Sequence, residues 1–441
     1  MGDNVAEIYH QLGFIQPTLI QQQTFSPLLA GENILGLAPT GSGKTLAYVV
    51  PLLSKTSTQA GTQLLVITAS QELTAQVTEV IRKCLLNLQL PLQVTSLGGG
   101  ANLKRQQEKL KRHPEIVVGT PGRMLELAEN KKLKLHKLKF AILDEADDLL
   151  ADEKLSVCRR LLSHAPAKIQ LGFFSATDNP ILHELPRWFN QQVKRVDVRQ
   201  SDQTQGQVAH YYVTLPTRKR FDLLRKLGRE TGFKGLVFFN QVADLEEIAQ
   251  RLEFNQVAVA TLDSQQRQTQ RQQAIRNFTI GETALLLATD VAARGLDLPA
   301  LPVVINYDLP LTLTAYIHRV GRTGRMGNSG TVINLGNERS LRQLKQLLRP
   351  AGYQLELAKM YYGQVMPLTA IPASLTPTKQ SASKAKSERL KKTVRPTIKK
   401  GQKRNINNAG VIKRIKVNIS YNKQIYIFRI LTSARLIFIM N

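Results

Sequence analysis

The chain has 441 residues, is 42% hydrophobic, and carries 60 Lys and Arg against 33 Asp and Glu, a formal net charge of +27. That length allows two or three domains with real cores, and the basic excess points to polyanionic partners. Two cysteines, Cys84 and Cys158, exclude a disulfide framework or a thiolate zinc site and fit a reducing, cytoplasmic compartment; with no apolar leader at the start, secretion is not expected.

In chain order, short apolar runs bounded by turn residues predict strands at 34–37, 64–67, 116–118, 141–143 and 172–174. A second series follows at 236–239, 257–262, 284–288, 303–306 and 331–335. Runs of this length, apolar on both faces and separated by amphipathic helical stretches, argue for buried parallel strands. The expected fold class is α/β, with a first domain over 1–200, a polar linker at 201–207 within "RQSDQTQGQ", a second domain over 208–358 and a basic tail over 359–441.

The first strand runs into "LGLAPTGSGKT" (35–45), where Ala38 replaces the first glycine of the G-x-x-x-x-G-K-[ST] pattern. Thr40, Gly41, Ser42 and Gly43 would turn backbone N–H groups toward phosphates, Lys44 would reach the β- and γ-phosphates, and Thr45 would offer a hydroxyl to Mg²⁺. The fourth apolar run stops at Asp144 in "AILDEADDLLADEKL" (141–155). Acids at a helix N-terminus contribute about 0.3–1 kcal/mol each, which accounts for Asp148, Asp152 and Glu153. A carboxylate at the carboxyl end of a parallel strand instead lies where ligands bind. Asp144 is therefore expected to hold Mg²⁺ through water, and Glu145 to orient or deprotonate the water that attacks the γ-phosphate.

Taken together, "DEAD" (144–147), "SAT" (175–177), "ATDVAARGLD" (288–297) and "HRVGRTGR" (318–325) resemble the motifs of the DEAD-box RNA helicases, in that family's order and spacing over roughly residues 8–350. The resemblance implies two RecA-like domains that close on ATP and RNA. "GFIQPTLIQ" (13–21) is similar to the family's Q motif. There Gln21 would read adenine, whose N6 donor and N7 acceptor a side-chain amide can match, and Phe14 would stack on the ring. Arg322 and Arg325, with Arg319 and His318, would form the other half of the site, the first two as γ-phosphate-contacting fingers, and Asp297 would approach the ribose. Ser175, Thr177, Asp147 and His318 would couple the ATP site to the RNA face.

RNA contacts implied by the resemblance are Gly98 and Gly99, Thr120 to Arg123, Gln268 with Arg271, and Thr289, all directed at the sugar-phosphate backbone. Two departures from the family bear on them: Gln71 stands where an arginine is usual, and Asp263 where a histidine is usual. Both reduce positive charge near the strand, and the tail is expected to compensate. From Lys359 onward 18 Lys and Arg face one acid, Glu388, a net +17, and "KQSASKAKSERLKKTVRPTIKKGQKR" (379–404) reads as a disordered, phosphate-binding segment. The apolar stretch 425–440 is too short for a membrane span; its Ile, Asn, Lys, Tyr and Phe bias resembles out-of-frame translation of AT-rich DNA, so residues after about 410 read as unselected sequence. The expected protein is a monomeric, cytoplasmic, RNA-dependent ATPase that unwinds short duplexes or remodels ribonucleoproteins, ribosomal ones among them. The alternative is an ATP-gated RNA clamp or scaffold.

Overall fold

A computed structural model describes residues 5–370 apart from 59–60, 99–101, 152, 203, 205, 264, 294–300, 326 and 362–363; of Gln268 only the backbone is described. Gly99, Asp152, Asp297 and the basic segment from 371 onward thus lie outside the described residues. Seven strands, β1 (Ile34–Leu37), β2 (Leu64–Thr68), β3 (Val94–Leu97), β4 (Ile116–Gly119), β5 (Phe140–Asp144), β6 (Gln170–Ser175) and β7 (Lys194–Asp197), form one parallel sheet in the order β3-β4-β2-β5-β6-β1-β7. A second sheet holds β8 (Val208–Thr214), β9 (Gly235–Phe239), β10 (Val259–Leu262), β11 (Leu285–Thr289), β12 (Val303–Asn306), β13 (Gly330–Gly336), β14 (Glu356–Tyr361) and β15 (Gln364–Pro367), ordered β10-β11-β9-β12-β13-β8-β14-β15. Both sheets fall within one compact unit, Met1–Thr376.

Apolar runs without alternation fold this way because both sheet faces are covered by helices. Along β2, Leu64 and Val66 enter one core cluster while Leu65 and Ile67 enter the other. In the second sheet Leu236 and Phe238 divide from Val237 and Phe239 in the same manner. Each such side chain, fully buried, contributes about 1.5–3 kcal/mol. The ten predicted strands are present; β3, β7, β8, β14 and β15 are additional. β7 buries one residue in four, and β3 alternates between half-buried and buried, so neither presents a continuous apolar run.

One boundary differs from expectation, and the linker makes contacts of its own. The basic tail is expected from 359, yet Lys359 lies inside β14, which pairs parallel to β8 (Ala358 beside Val213) and antiparallel to β15 (Tyr361 beside Gln364). The chain thus stays in the sheet to Pro367, because Leu357 to Tyr361 and Val365 to Pro367 still offer partly apolar edge strands. The polar connection at 201–207 is fastened rather than free: the Gly206 N–H donates to Gly324 O (2.9 Å) and the Gly327 N–H to Thr204 O (3.2 Å).

Candidate active site

The order β5-β6-β1 at the centre of the first sheet brings three strand ends together, with Leu37 beside Ser175 and Asp144 beside Phe174. After β1 the chain turns at Gly41 (φ 83°) and Gly43 (φ 86°) into the helix Lys44–Ser54. Gly43 is required twice over: its φ is left-handed, and a Cβ would sit 2.3 Å from Gln21 Nε2. The Lys44 ammonium donates to Ala38 O and Pro39 O, both 2.8 Å, carbonyls of the loop itself. Burial lowers its pKa, against the pull of Asp144, Asp147 and Glu145.

Gln21 is buried beside this loop. Its Oε1 accepts from the Thr18 N–H (2.8 Å) and its Nε2 donates to Gly43 O (3.1 Å), so one donor and one acceptor of the amide are already engaged in fixing the loop. The amide's second N–H and second lone pair are what it has left for a base. Phe14 is 39% exposed, its ring 6.4 Å from that of Tyr9 and tilted 60° to it.

Asp144 is buried, and both its oxygens have partners: Oδ2 accepts from Tyr48 OH (2.8 Å) and Oδ1 from the Glu145 N–H (3.0 Å). Burial still raises its pKa, opposed by Tyr48 and Lys44. Tyr48 was not foreseen from the sequence. The available signal was its position one turn after Lys44 in an otherwise apolar helix, which puts it on the same face.

Glu145 adopts left-handed backbone (φ 57°), a conformation a non-glycine residue keeps only when its surroundings enforce it. Its Oε2 is buried with no hydrogen-bond partner among the described residues. Burial raises its pKa, with His318 and Arg322 pulling the other way and Asp144 adding to the rise.

The expected coupling residues form a continuous chain. Ser175 Oγ donates to Thr177 O (2.6 Å) and accepts from the Thr177 N–H (3.0 Å); Thr177 Oγ1 donates to Asp147 Oδ2; and His318 Nε2, from the second half, approaches that same oxygen at 3.5 Å. Burial alone would raise the Asp147 pKa, but the bonds and charge of His318 and the hydroxyls outweigh it and hold the carboxyl at about 2.

The second half meets the phosphate loop directly. A Cβ on Gly321 would fall 1.7 Å from Thr40 Oγ1, and one on Gly41 3.4 Å from Arg325 Cγ. Arg325 Nε donates to Gly321 O (2.7 Å), and buried Arg322 bears on the charge of Glu145. Arg319 departs from the expected grouping. It is 1% exposed and makes five bonds, to both oxygens of Asp290, to Asn306 and Asn240, and to Asp308 O, over the face of Phe238. With every donor direction taken inside the second half, it braces that half rather than serving the site.

On the nucleic-acid side, Thr120 caps the helix Pro121–Glu129 with its hydroxyl unused in the cap, and Gly122 stands in open space, leaving first-turn N–H groups presented to an anion. Gly98 O accepts from Gln106 Nε2 (2.7 Å), and Gln106 Oε1 in turn takes Arg123 Nη1 (3.1 Å), tying these two segments together. Thr289 is buried at the end of β11 with an unpartnered hydroxyl. Arg271, expected at the phosphate backbone, bonds Glu72 of the first half and Ala292 O, so it bridges the two halves. Asp263 is buried in a turn, accepting from the N–H groups of Gln265 (2.7 Å) and Gln266 (3.1 Å), which absorbs much of the negative charge expected to face the strand.

Comparison with known proteins agrees with this geometry. Residues 18–185 match the DEAD/DEAH box helicase family and residues 219–327 the helicase conserved C-terminal domain. The chain is 38% identical over 355 residues to the Bacillus subtilis protein named "Probable ATP-dependent RNA helicase YfmL", covering 80% of this chain and 94% of that one. It is 34% identical to the DEAD-box ATP-dependent RNA helicase CshC of Bacillus cereus, over 81% of this chain and 91% of that one. Among solved structures it is similar to S. cerevisiae Dbp5 bound to RNA and ADP BeF3, with a TM-score of 0.73 and 25% identity, covering 81% of this chain and 93% of that one.

Proposed function

The chain belongs to the DEAD-box ATP-dependent RNA helicases, and from that premise we propose that it hydrolyses ATP in response to RNA, using closure of its two halves to separate short duplexes or remodel ribonucleoproteins. One observation carries the reading: His318, Gly321, Arg322 and Arg325 of the second half converge on Asp147, Thr40, Glu145 and Gly41 of the first. A hydrolytic site divided this way works only when closed.

Lys44 would exchange Ala38 O and Pro39 O for β- and γ-phosphate oxygens of ATP. Glu145 Oε2, buried and unpartnered, is the atom that would accept the proton of the attacking water as its oxygen bonds the γ-phosphorus and the bond to the β-phosphate oxygen breaks; a carboxylate with a raised pKa is the better base. Arg322 and Arg325 would offset charge on the transferred group. Thr45 and Asp144 would hold Mg²⁺, which when bound neutralises charge between the β- and γ-phosphates. With each Asp144 oxygen already accepting one bond, a water-mediated contact fits best.

The Ser175-Thr177-Asp147-His318 chain would carry RNA engagement to the acids. The same reading places the protein in the cytoplasm, in keeping with its two buried free cysteines, as a monomer that acts on RNA-protein particles through backbone-directed contacts that read no sequence. No helix among the described residues is long and apolar enough to cross a membrane. The test is RNA-stimulated ATP hydrolysis with strand displacement over many turnovers: the native chain hydrolyses ATP and separates a short RNA duplex repeatedly, and Glu145→Gln does neither beyond a first round. Displacement by that variant at the native rate refutes the assignment.

A further inference from the structure

We propose that a lysine-walled groove on the first half, at the opposite end of the sheet from the ATP site, binds the phosphate backbone of a second RNA segment. The groove, about 690 Å³, lies where Gly61 and Thr62 lead into β2, His113 precedes β4 and Lys134 to Lys137 precede β5. These are the amino ends of the strands whose carboxyl ends carry Asp144 and Thr120. The two sites are therefore separated by the length of a strand, about 13–17 Å.

One wall is built by alternation. Leu133, Leu135 and Leu138 are buried in the core, which turns Lys132, Lys134 and Lys137 outward, with Lys131 beside them; Lys111 and His113 face them from the other wall. Lys111 is paired with Glu108 at 2.7 Å, but Lys131, Lys132, Lys134 and Lys137 have no carboxylate partner among the described residues. Four neighbouring cations repel one another unless an anion is shared between them. Lysines near the ends of the preceding helices would complement helix dipoles, but that effect fades within a turn and does not account for Lys134 and Lys137.

The lining also indicates which polyanion fits. It contains no Phe, Tyr or Trp, so it offers no platform for unstacked bases, and single-strand readers ordinarily use one. Point-charge ammonium groups along a groove suit backbone phosphates of paired or flanking RNA. An acidic protein segment is the competing occupant.

The inference rests on the reading of the chain as an RNA-stimulated ATPase, and the experiment reads the two separately. In the full chain, Lys132, Lys134 and Lys137 are changed together to Glu, and in a second variant to Gln. ATPase stimulation is measured with an RNA of about 10 nucleotides, within the span of one binding module, and binding with an RNA several times longer across a salt series. The expected result is unchanged stimulation by the short RNA, long-RNA affinity down about tenfold, and a salt slope smaller by roughly 2, since each lost contact removes about 0.7–0.9. The Gln variant should show a smaller loss in the same direction. Unchanged long-RNA affinity and slope overturn the proposal while leaving the ATPase reading intact, and equal losses for both RNAs overturn it as well. If poly-glutamate displaces long RNA from the native chain as well as RNA does, an acidic protein replaces RNA as the occupant.

Discussion

Gly321→Ala should disable closure while leaving both halves folded. The backbone there (φ −62°, ψ 2°) suits alanine, so no local strain enters and the whole effect is steric. The new methyl would lie 1.7 Å from Thr40 Oγ1, 2.5 Å from its Cβ and 2.9 Å from its Cγ2. Rotating the Thr40 side chain relieves the first and third contacts but not the second, which requires the phosphate loop or the arginine loop to withdraw. Overpacking of this kind costs about 1–3 kcal/mol, a 5- to 150-fold fall in the closed population. RNA-stimulated kcat should fall by that factor, toward its upper end, while ATP binding to the first half and the thermal midpoint hold. Thr40→Ala removes Oγ1 and Cγ2 and should restore part of the loss, a coupling of about 1 kcal/mol or more in a double-mutant cycle. A Gly321→Ala protein with native RNA-stimulated turnover, or one that loses ATP binding as well, would show that Gly321 is not the point of contact on which closure depends.

Other perturbations separate catalysis from structure. Glu145→Gln should keep ATP and RNA bound while turnover falls about 10²- to 10⁴-fold, read by single-turnover hydrolysis. Tyr48→Phe strips Asp144 of one donor and should raise the Mg²⁺ concentration that half-activates the ATPase, with about 1.5–3 kcal/mol lost from first-half stability; an unchanged Mg²⁺ dependence contradicts the role given to Asp144. Arg319→Ala leaves Asp290 without its partner and should cost about 3–5 kcal/mol, unfolding the second half early, and Arg319→Lys should not rescue the five-bond geometry. His210, buried between Tyr316 and Tyr353, has its pKa lowered by burial to about 4. The unfolded chain, with histidine near 6.5, therefore binds the extra proton between pH 6.5 and 4. Second-half stability should accordingly rise with pH across that window, by up to ~1.4 kcal/mol per pH unit, and His210→Phe should flatten the slope. Denaturation must be followed by circular dichroism, because the sole tryptophan, Trp188, reports on the first half.

What the sequence disclosed follows from how each residue finds its partners. The central strands were legible because burial on both faces leaves no polar position in the run, and Asp144 was legible because it interrupts one. Edge strands such as β3 and β7 bury only part of their residues and so merge into the polar background. Backbone-defined groups, the glycines of the phosphate loop and the Thr120 cap, lie where local spacing puts them. Long side chains do not. The family resemblance implies a phosphate contact for Arg271 and a site cation for Arg319, but their guanidiniums bond Glu72, Asp290, Asn240 and Asn306, partners brought in by tertiary packing from as far as 199 positions away. Asp263, likewise, has its charge absorbed by backbone N–H groups of its own turn.

The seam between the halves carries an energetic imbalance that bears on why ATP and RNA act together. Thr40 Oγ1, Glu145 Oε2, Asp147 Oδ1 and His318 Nδ1 are all buried there without a hydrogen-bond partner among the described residues. Each unsatisfied atom costs about 1–3 kcal/mol, so closure by protein contacts alone carries a penalty of several kcal/mol. The Arg271–Glu72 pair, both partners largely buried, and the His318–Asp147 contact offset only part of it. A ligand that supplies partners to these atoms in the closed arrangement and not in the open one shifts the equilibrium by its differential affinity and no more. On the proposed reading, a triphosphate would accept from Thr40 Oγ1 and the attacking water would donate to Glu145 Oε2, while RNA drawn across Thr120 and Thr289 would pull the same two halves together. Each ligand thereby lowers the cost the other faces. By linkage, saturating RNA must tighten ATP binding by the same factor that ATP tightens RNA binding. A factor near one, measured by titrating each against the other with Glu145→Gln to suppress turnover, would mean that closure of this seam is not the shared step.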